Sequence, residues 1–164
     1  MSYLGSVETP QPWSPEGVQA IVAAHQSLEG PLIPILHALQ NIYGCVPREA
    51  VSIVAHALNL SRAEVHGVVT FYHDFRDRPA GDRVVKICRA EACQAKGGEA
   101  AARVLLSVLG LPHDTAWGGT TTDGVVTVEP VYCLGLCAVA PAALIDGEPF
   151  GRFDGMRLCE AVGS

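Results

Sequence analysis

The sequence predicts an α/β fold in two parts, a helical first half followed by a small sheet covered by helices. Three observations carry this. Up to about residue 75, apolar residues recur at the three- and four-residue intervals of helices. From Arg83 onward the order changes to a short buried-strand pattern, a helical pattern and further strand-like runs. Within those runs stand Asp123-Gly124 and Asp146-Gly147, the dipeptide most strongly associated with tight hairpins. The order strand, helix, hairpins, helix suggests an α/β sandwich.

Residues 1–13 carry Pro10 and Pro12 without periodicity and are expected to be a flexible lead-in. Ser14 caps a first helix with Pro15 at its opening position and Val18, Ile21 and Val22 inward. A second helix aligns Leu32, Ile35, Leu36, Leu39 and Ile42 and ends at Gly44. The third begins near Pro47 with Val51, Val54 and Leu58 inward, and the fourth opens with a Ser61–Glu64 capping box. Residues 14–80 thus form a four-helix bundle, and the Pro- and Gly-containing "DRPAGD" at 77–82 is the expected hinge to a second domain over 81–164. There "RVVKIC" is a strand and "GGEAAARVLLSVLG" a helix that stacks Ala101, Ala102, Leu105, Leu106 and Leu109 and closes at Gly110. Hairpins follow at 123–124 and 146–147, and Asp154 caps a last helix containing Leu158 and Val162.

Composition narrows the function. The net charge of −6 is spread over both halves, four basic against seven acidic residues up to Ala80 and seven against ten after it, so neither half attracts polyanions. Residues 47–70 could be read as a helix-turn-helix, but their only cations, Arg48 and Arg62, are balanced by Glu49 and Glu64. No nucleic-acid partner is expected. Apolar runs fall far short of the roughly 20 residues that span a bilayer, so no membrane segment is expected. The N-terminus has neither a basic nor an apolar leader region, which makes the cytoplasm the expected compartment and structural disulfides unexpected.

The chemistry lies in four cysteines. Cys88 and Cys93 are separated by "RAEA", Cys133 and Cys137 by "LGL", and each pair is expected in a loop just after a strand. Neither spacing is that of a redox dithiol. Zinc accepts gaps of two to four residues, and a [2Fe–2S] centre takes two thiolates on each iron, so spacing alone leaves both metals open. A plant-type ferredoxin pattern is excluded, because Lys96 stands where its third cysteine would fall. Gly135 and the small residues Ala90, Ala92, Ala95 and Ala138 would let main-chain N–H groups approach sulfur.

The spacing over 88–137, together with "GVVTFYHDF" at 67–75, resembles the thioredoxin-like [2Fe–2S] subunits found beside the flavin subunit of NADH dehydrogenases. That family includes the 24 kDa subunit of complex I, diaphorase subunits of NAD-linked hydrogenases and the gamma subunit of cytoplasmic molybdenum-dependent formate dehydrogenase. "CRAEACQ" and "VTVEPVYCLGLC" look most like the last of these. The resemblance implies a thioredoxin-like [2Fe–2S] ferredoxin domain with Cys88, Cys93, Cys133 and Cys137 as ligands of one cluster, and a helical domain that contacts the flavin subunit. It also implies an electron-transfer role with no catalytic residue in this chain. FMN and NAD would belong to a beta subunit, and the molybdenum cofactor that oxidises formate to an alpha subunit. Leu136 stands where a smaller residue is common, and Pro141 resembles a position at which thioredoxin-like folds often keep a cis proline. A zinc-stabilised adaptor is the alternative of another class.

Other residues have blander readings. Cys45 and Cys159 are expected to be buried structural thiols. His66 and His73 could share a face of the fourth helix without being ligands. Phe71, Tyr72 and Phe75 could be core, although the resemblance puts them near the flavin subunit. Lys86, Arg89 and Lys96 surround the first cysteine pair and would favour a cluster's reduced form, so Arg89→Ala is expected to lower its potential.

Overall fold

A computed structural model describes residues 12–113 and 117–163, so all but Pro12 and Trp13 of the expected lead-in lies outside the described residues. The chain forms two compact units, Met1–Pro79 and Ala80–Ser164.

The first unit contains helices α1 (Pro15–His25), α2 (Leu32–Tyr43), α3 (Arg48–Ala57) and α4 (Arg62–Phe71). Ser14 accepts a hydrogen bond from the Gly17 N–H at 3.1 Å, capping α1. At α4 the capping box closes in both directions, Glu64 N–H to Ser61 Oγ at 3.2 Å and Ser61 N–H to Glu64 Oε2 at 2.8 Å. Val18, Ile35, Leu36, Leu39, Val54 and Val65 are buried together in one core.

The helical faces differ from the expected ones in detail. Tyr43, rather than Ile42, completes the buried stripe of α2, and Ile42 is exposed. At 3.6 residues per turn, a residue four after Leu39 stays near the centre of the stripe, and one three after it falls at the edge. Gly17 in α1 leaves the room that the Tyr43 hydroxyl occupies. In α3 the fully buried residues are Ala50, Val54 and Ala55, with Val51 and Leu58 only partly buried. The "TFYHDF" aromatics divide: Phe75 is buried, whereas Phe71 and Tyr72 are 73% and 49% exposed. His73 lies beyond the end of α4 and so does not share its face with His66.

The second unit has strands β1 (Arg83–Cys88), β2 (Gly119–Thr120), β3 (Val126–Val131), β4 (Ala142–Ile145) and β5 (Glu148–Gly151), in the order β2-β3-β1-β4-β5. Helices α5 (Glu91–Ala95), α6 (Gly98–Val108) and α7 (Gly155–Val162) complete it. β1 and β3 are parallel, and the other pairings are antiparallel. Val85, Ile87, Leu105, Leu106, Val128, Ala143 and Leu158 form the core between sheet and helices.

The hairpin at Asp146-Gly147 is a two-residue turn with Ile145 paired to Glu148 and φ positive at both turn residues (52° and 87°), the geometry this dipeptide favours. At Asp123-Gly124 the loop is longer, spanning 121–125, because Asp123 Oδ1 accepts the Val125 N–H (3.0 Å) and Thr121 Oγ1 the Val126 N–H (3.0 Å). Asp154 accepts the Arg157 N–H at 2.9 Å and caps α7. The Ala140–Pro141 peptide is cis.

Candidate metal centre

The parallel pairing of β1 and β3 aligns Cys88 with Val131 at the last step of the ladder, so the chain leaves both strands at the same end of the sheet. Cys88 is the final residue of β1 and Cys93 lies in the short helix α5. The expectation that this first pair sits in a loop is therefore corrected: Gln94 Nε2 donates to the Arg89 carbonyl at 2.7 Å and helps to wind residues 91–95 into a helical turn. Cys133 follows β3 by two residues with φ at 84°, and Cys137 opens a 3₁₀ turn over Cys137–Val139. Gly135, at φ 74°, turns the loop so that its N–H reaches the Cys133 sulfur at 3.4 Å.

The sulfurs come as two pairs. Burial acts most strongly on Cys88 and would raise its thiol, but hydrogen bonds from the Ala90 N–H, the Cys93 thiol and the N–H groups of Cys133 and Leu134 bring it below the ordinary range. Cys93 is pushed up, by burial first and then by its bond to Cys88, against which the Ala142 N–H acts. Cys137 is raised chiefly by its hydrogen bond to Cys133 and by charge there. The Cys88 sulfur thus takes N–H groups from the loop that carries the other pair, which ties the two loops together. Ala90 and Gly135 donate as small residues were expected to; Cys133, Leu134 and Ala142 were not foreseen, because they are brought in by strand pairing across more than 40 residues of chain.

Cys88 and Cys93 are 4% and 2% exposed, in a pocket with Ala90, Val131, Leu134, Leu136, Ala140 and Ala142, while Cys133 and Cys137 are exposed. Leu136 packs into this apolar pocket without displacing Cys137 from its partner. A tetrahedral ion at Zn–S of about 2.3 Å would need all four sulfurs within roughly 3.8 Å of one another. Two linked thiol pairs fit a two-iron core that takes two thiolates per iron.

Gly98 sets the position of Cys93. A Cβ at residue 98 would lie 2.7 Å from the Cys93 carbonyl oxygen and 3.5 Å from Pro141 Cβ, so only glycine lets α6 start this close. Of the three cations expected beside the first pair, Arg89 is paired with Glu99 at 3.2 Å and lies over the Trp117 ring at 4.6 Å. Cys45 and Cys159 are buried, as expected of structural thiols.

Residues 18–163 match the sequence profile of the thioredoxin-like [2Fe-2S] ferredoxin family. The chain belongs to this family. Its cofactor is a [2Fe–2S] cluster, which the donor set just described fits. Family members similar to it include the NADP-reducing hydrogenase subunit HndA of Solidesulfovibrio fructosivorans, 32% identical over 87% of this chain and 81% of that protein. One subunit of the NADH-quinone oxidoreductase of Pseudomonas aeruginosa is 35% identical over 79% of this chain and 77% of that one. The corresponding Mycobacterium tuberculosis protein is 33% identical over 79% of this chain, which spans only half of its length. The fold is also that of part of an NAD+-reducing [NiFe]-hydrogenase, with a TM-score of 0.56 at 22% identity; the match covers 89% of this chain and 22% of the hydrogenase chain. These ferredoxin-family relatives are oxidoreductase subunits, and this chain is likewise mixed α/β and thioredoxin-like. Among the described residues no helix is long and apolar enough to cross a membrane.

Proposed function

We propose that this chain is the [2Fe–2S] electron-carrier subunit of a cytoplasmic NAD-linked dehydrogenase complex, with Cys88 and Cys93 holding one iron and Cys133 and Cys137 the other. The observation that carries the reading is the pair of linked dithiol sites at the shared end of β1 and β3. A bound cluster would accept and release single electrons. The chain's own residues supply the rest: the N–H groups of Ala90, Cys133, Leu134, Gly135 and Ala142 stabilise anionic sulfur. The apolar pocket keeps water from the first pair, and the exposed second pair leaves an edge for a partner to approach.

The partner, in this reading, is an FMN- and NADH-binding beta subunit, itself joined to a molybdenum-containing alpha subunit that oxidises formate. Support for formate comes from "CRAEACQ" and "VTVEPVYCLGLC". The helical region 14–80 would serve as the docking domain, and its exposed Phe71 and Tyr72 are the side chains best suited to a protein interface. Region 81–164 would be the cluster domain. A second reading, as the equivalent component of an NADH:quinone oxidoreductase or a hydrogenase, is favoured by the identities of 32% and 35% to proteins so named.

Two measurements test this. Anaerobically purified protein should contain two irons and two sulfides per chain and give an S = ½ signal on reduction, lost in Cys88→Ser and Cys137→Ser. Stoichiometric zinc without visible absorption would make the chain a structural adaptor. Purification of the native complex through a tag on this chain should bring a molybdenum-containing large subunit and formate-dependent NAD⁺ reduction. A nickel–iron pair or quinone-linked membrane subunits would replace formate with the second reading.

A further inference from the structure

Arg89 follows Cys88 directly, and its main chain is fixed on both sides: its N–H donates to the Val131 carbonyl at 2.8 Å and its carbonyl accepts Gln94 Nε2 at 2.7 Å. Its side chain is fixed too. Nε and Nη2 each lie 3.2 Å from the same oxygen of Glu99, and the guanidinium carbon sits 4.6 Å from the centre of the Trp117 ring. Both charged side chains are only about a quarter exposed (25% and 26%), so solvent screens the pair incompletely. The other oxygen of Glu99 meets Arg103 at 3.7 Å, but Arg103 is 63% exposed and compensates it weakly.

Glu99 is also anchored at the site. It follows Gly98, where an added Cβ would meet the Cys93 carbonyl oxygen at 2.7 Å. One cation and one anion are therefore each a single residue removed from the groups that position the first cysteine pair. Reduction adds negative charge, which Arg89 favours and Glu99 opposes; together they act as a dipole rather than as a free cation.

Resting on the cluster reading above, we infer that Glu99 is a potential-setting residue: it neutralises Arg89, holds it against Trp117, and keeps the cluster's reduction less favourable than Arg89 alone would make it. At an effective dielectric constant of about 20, a single unit charge near the cluster changes a one-electron equilibrium by roughly tenfold. That factor corresponds to about 59 mV.

The test is a spectroelectrochemical titration of the full-length, cluster-loaded chain. Glu99→Gln should raise the midpoint by up to this tenfold factor, Arg89→Gln should lower it, and the double variant should return close to wild type. A purely structural role would shift both single variants the same way or cost only iron content. An unchanged or lowered midpoint in Glu99→Gln with two irons bound overturns the inference and leaves the cluster reading intact. Absence of a cluster in the wild-type chain overturns the cluster reading itself, and the inference with it. If Arg89→Gln fails to fold, Arg89→Lys keeps the charge and should stay at the wild-type midpoint; a large fall there would equally refute a charge effect.

Discussion

Gly98→Ala should empty the site while leaving the fold in place. The Cβ it adds would stand 2.7 Å from the Cys93 carbonyl oxygen and 3.2 Å from its carbonyl carbon, whereas ordinary contact begins near 3.4 Å. Residue 93 must then retreat by about 0.7 Å, a large displacement for a proposed ligand whose metal–sulfur distance tolerates only about ±0.2 Å. Overpacking of this kind typically costs 1–3 kcal/mol. Alanine is otherwise the better helix former by up to about 1 kcal/mol, so the net loss of stability should stay within about 2 kcal/mol. Gly97→Ala is the control. Residue 97 has φ at 84° and nothing within 4 Å of its Cβ position, so the change costs about 1–2 kcal/mol of backbone strain without touching Cys93. The assay is iron and sulfide content with visible absorption after anaerobic reconstitution, alongside denaturant unfolding. Gly98→Ala should bind well under half the wild-type iron, and Gly97→Ala should bind nearly all of it. A fully loaded Gly98→Ala protein with an unchanged reduced EPR signal would refute the role assigned to this contact.

Three further outcomes are expected. Asp154→Ala removes the cap of α7 and should cost about 1 kcal/mol in denaturant unfolding; no change would mean that the Arg157 N–H finds water at no cost. Hydrogen bonds from the Ser61 N–H and hydroxyl hold the Glu64 carboxyl below its ordinary 4.5, so its stabilisation is present above that pH and lost as the pH falls through the lowered folded value. Glu64→Gln should therefore flatten the acid side of the Tm–pH curve, and an identical curve would contradict this. Burial, followed by the negative charges of Asp77 and Glu49, pushes the Cys45 thiol up. Iodoacetamide at pH 8 should label Cys45 more slowly than a free thiol, and faster after Asp77→Asn, as read by mass spectrometry.

Local signals in this sequence were legible where one residue decides the structure. Ser14, Ser61 and Asp154 cap helices through their own side chains, Gly44 and Gly110 end them at positive φ, and Asp146-Gly147 fixes a two-residue turn. The four cysteines were legible as pairs because spacing is local too. What the sequence hid depends on neighbours far away along the chain. The N–H groups of Leu134 and Ala142 reach sulfurs of Cys88 and Cys93 only after three strands have paired, and Glu99 finds Arg89 only once α6 has packed beside α5. The short helix α5 was missed because five residues with a cysteine among them carry no periodic signal of their own. Exposure of Phe71 was equally hidden: aromatic residues at a helix end read alike whether they face a core or a partner.

The direction of β3 decides whether there is a site at all. A six-residue strand is roughly 20 Å long, so an antiparallel β3 would deliver Cys133 that far from Cys88, beyond any bridging by two irons. Parallel neighbours require a crossover, which here is made by α5 and α6 before the chain returns through the β2–β3 hairpin. The same crossover carries Cys93, Gly98 and Glu99. The connection that makes the strands parallel therefore also supplies a proposed ligand, the close contact that positions it and the anion that balances Arg89. Substitutions at the start of α6 should accordingly act on cofactor retention and potential more than on stability. Substitutions at Leu105 or Leu106, about two turns along the same helix and buried in the core, should do the reverse, by the roughly 2–5 kcal/mol of a leucine-to-alanine cavity.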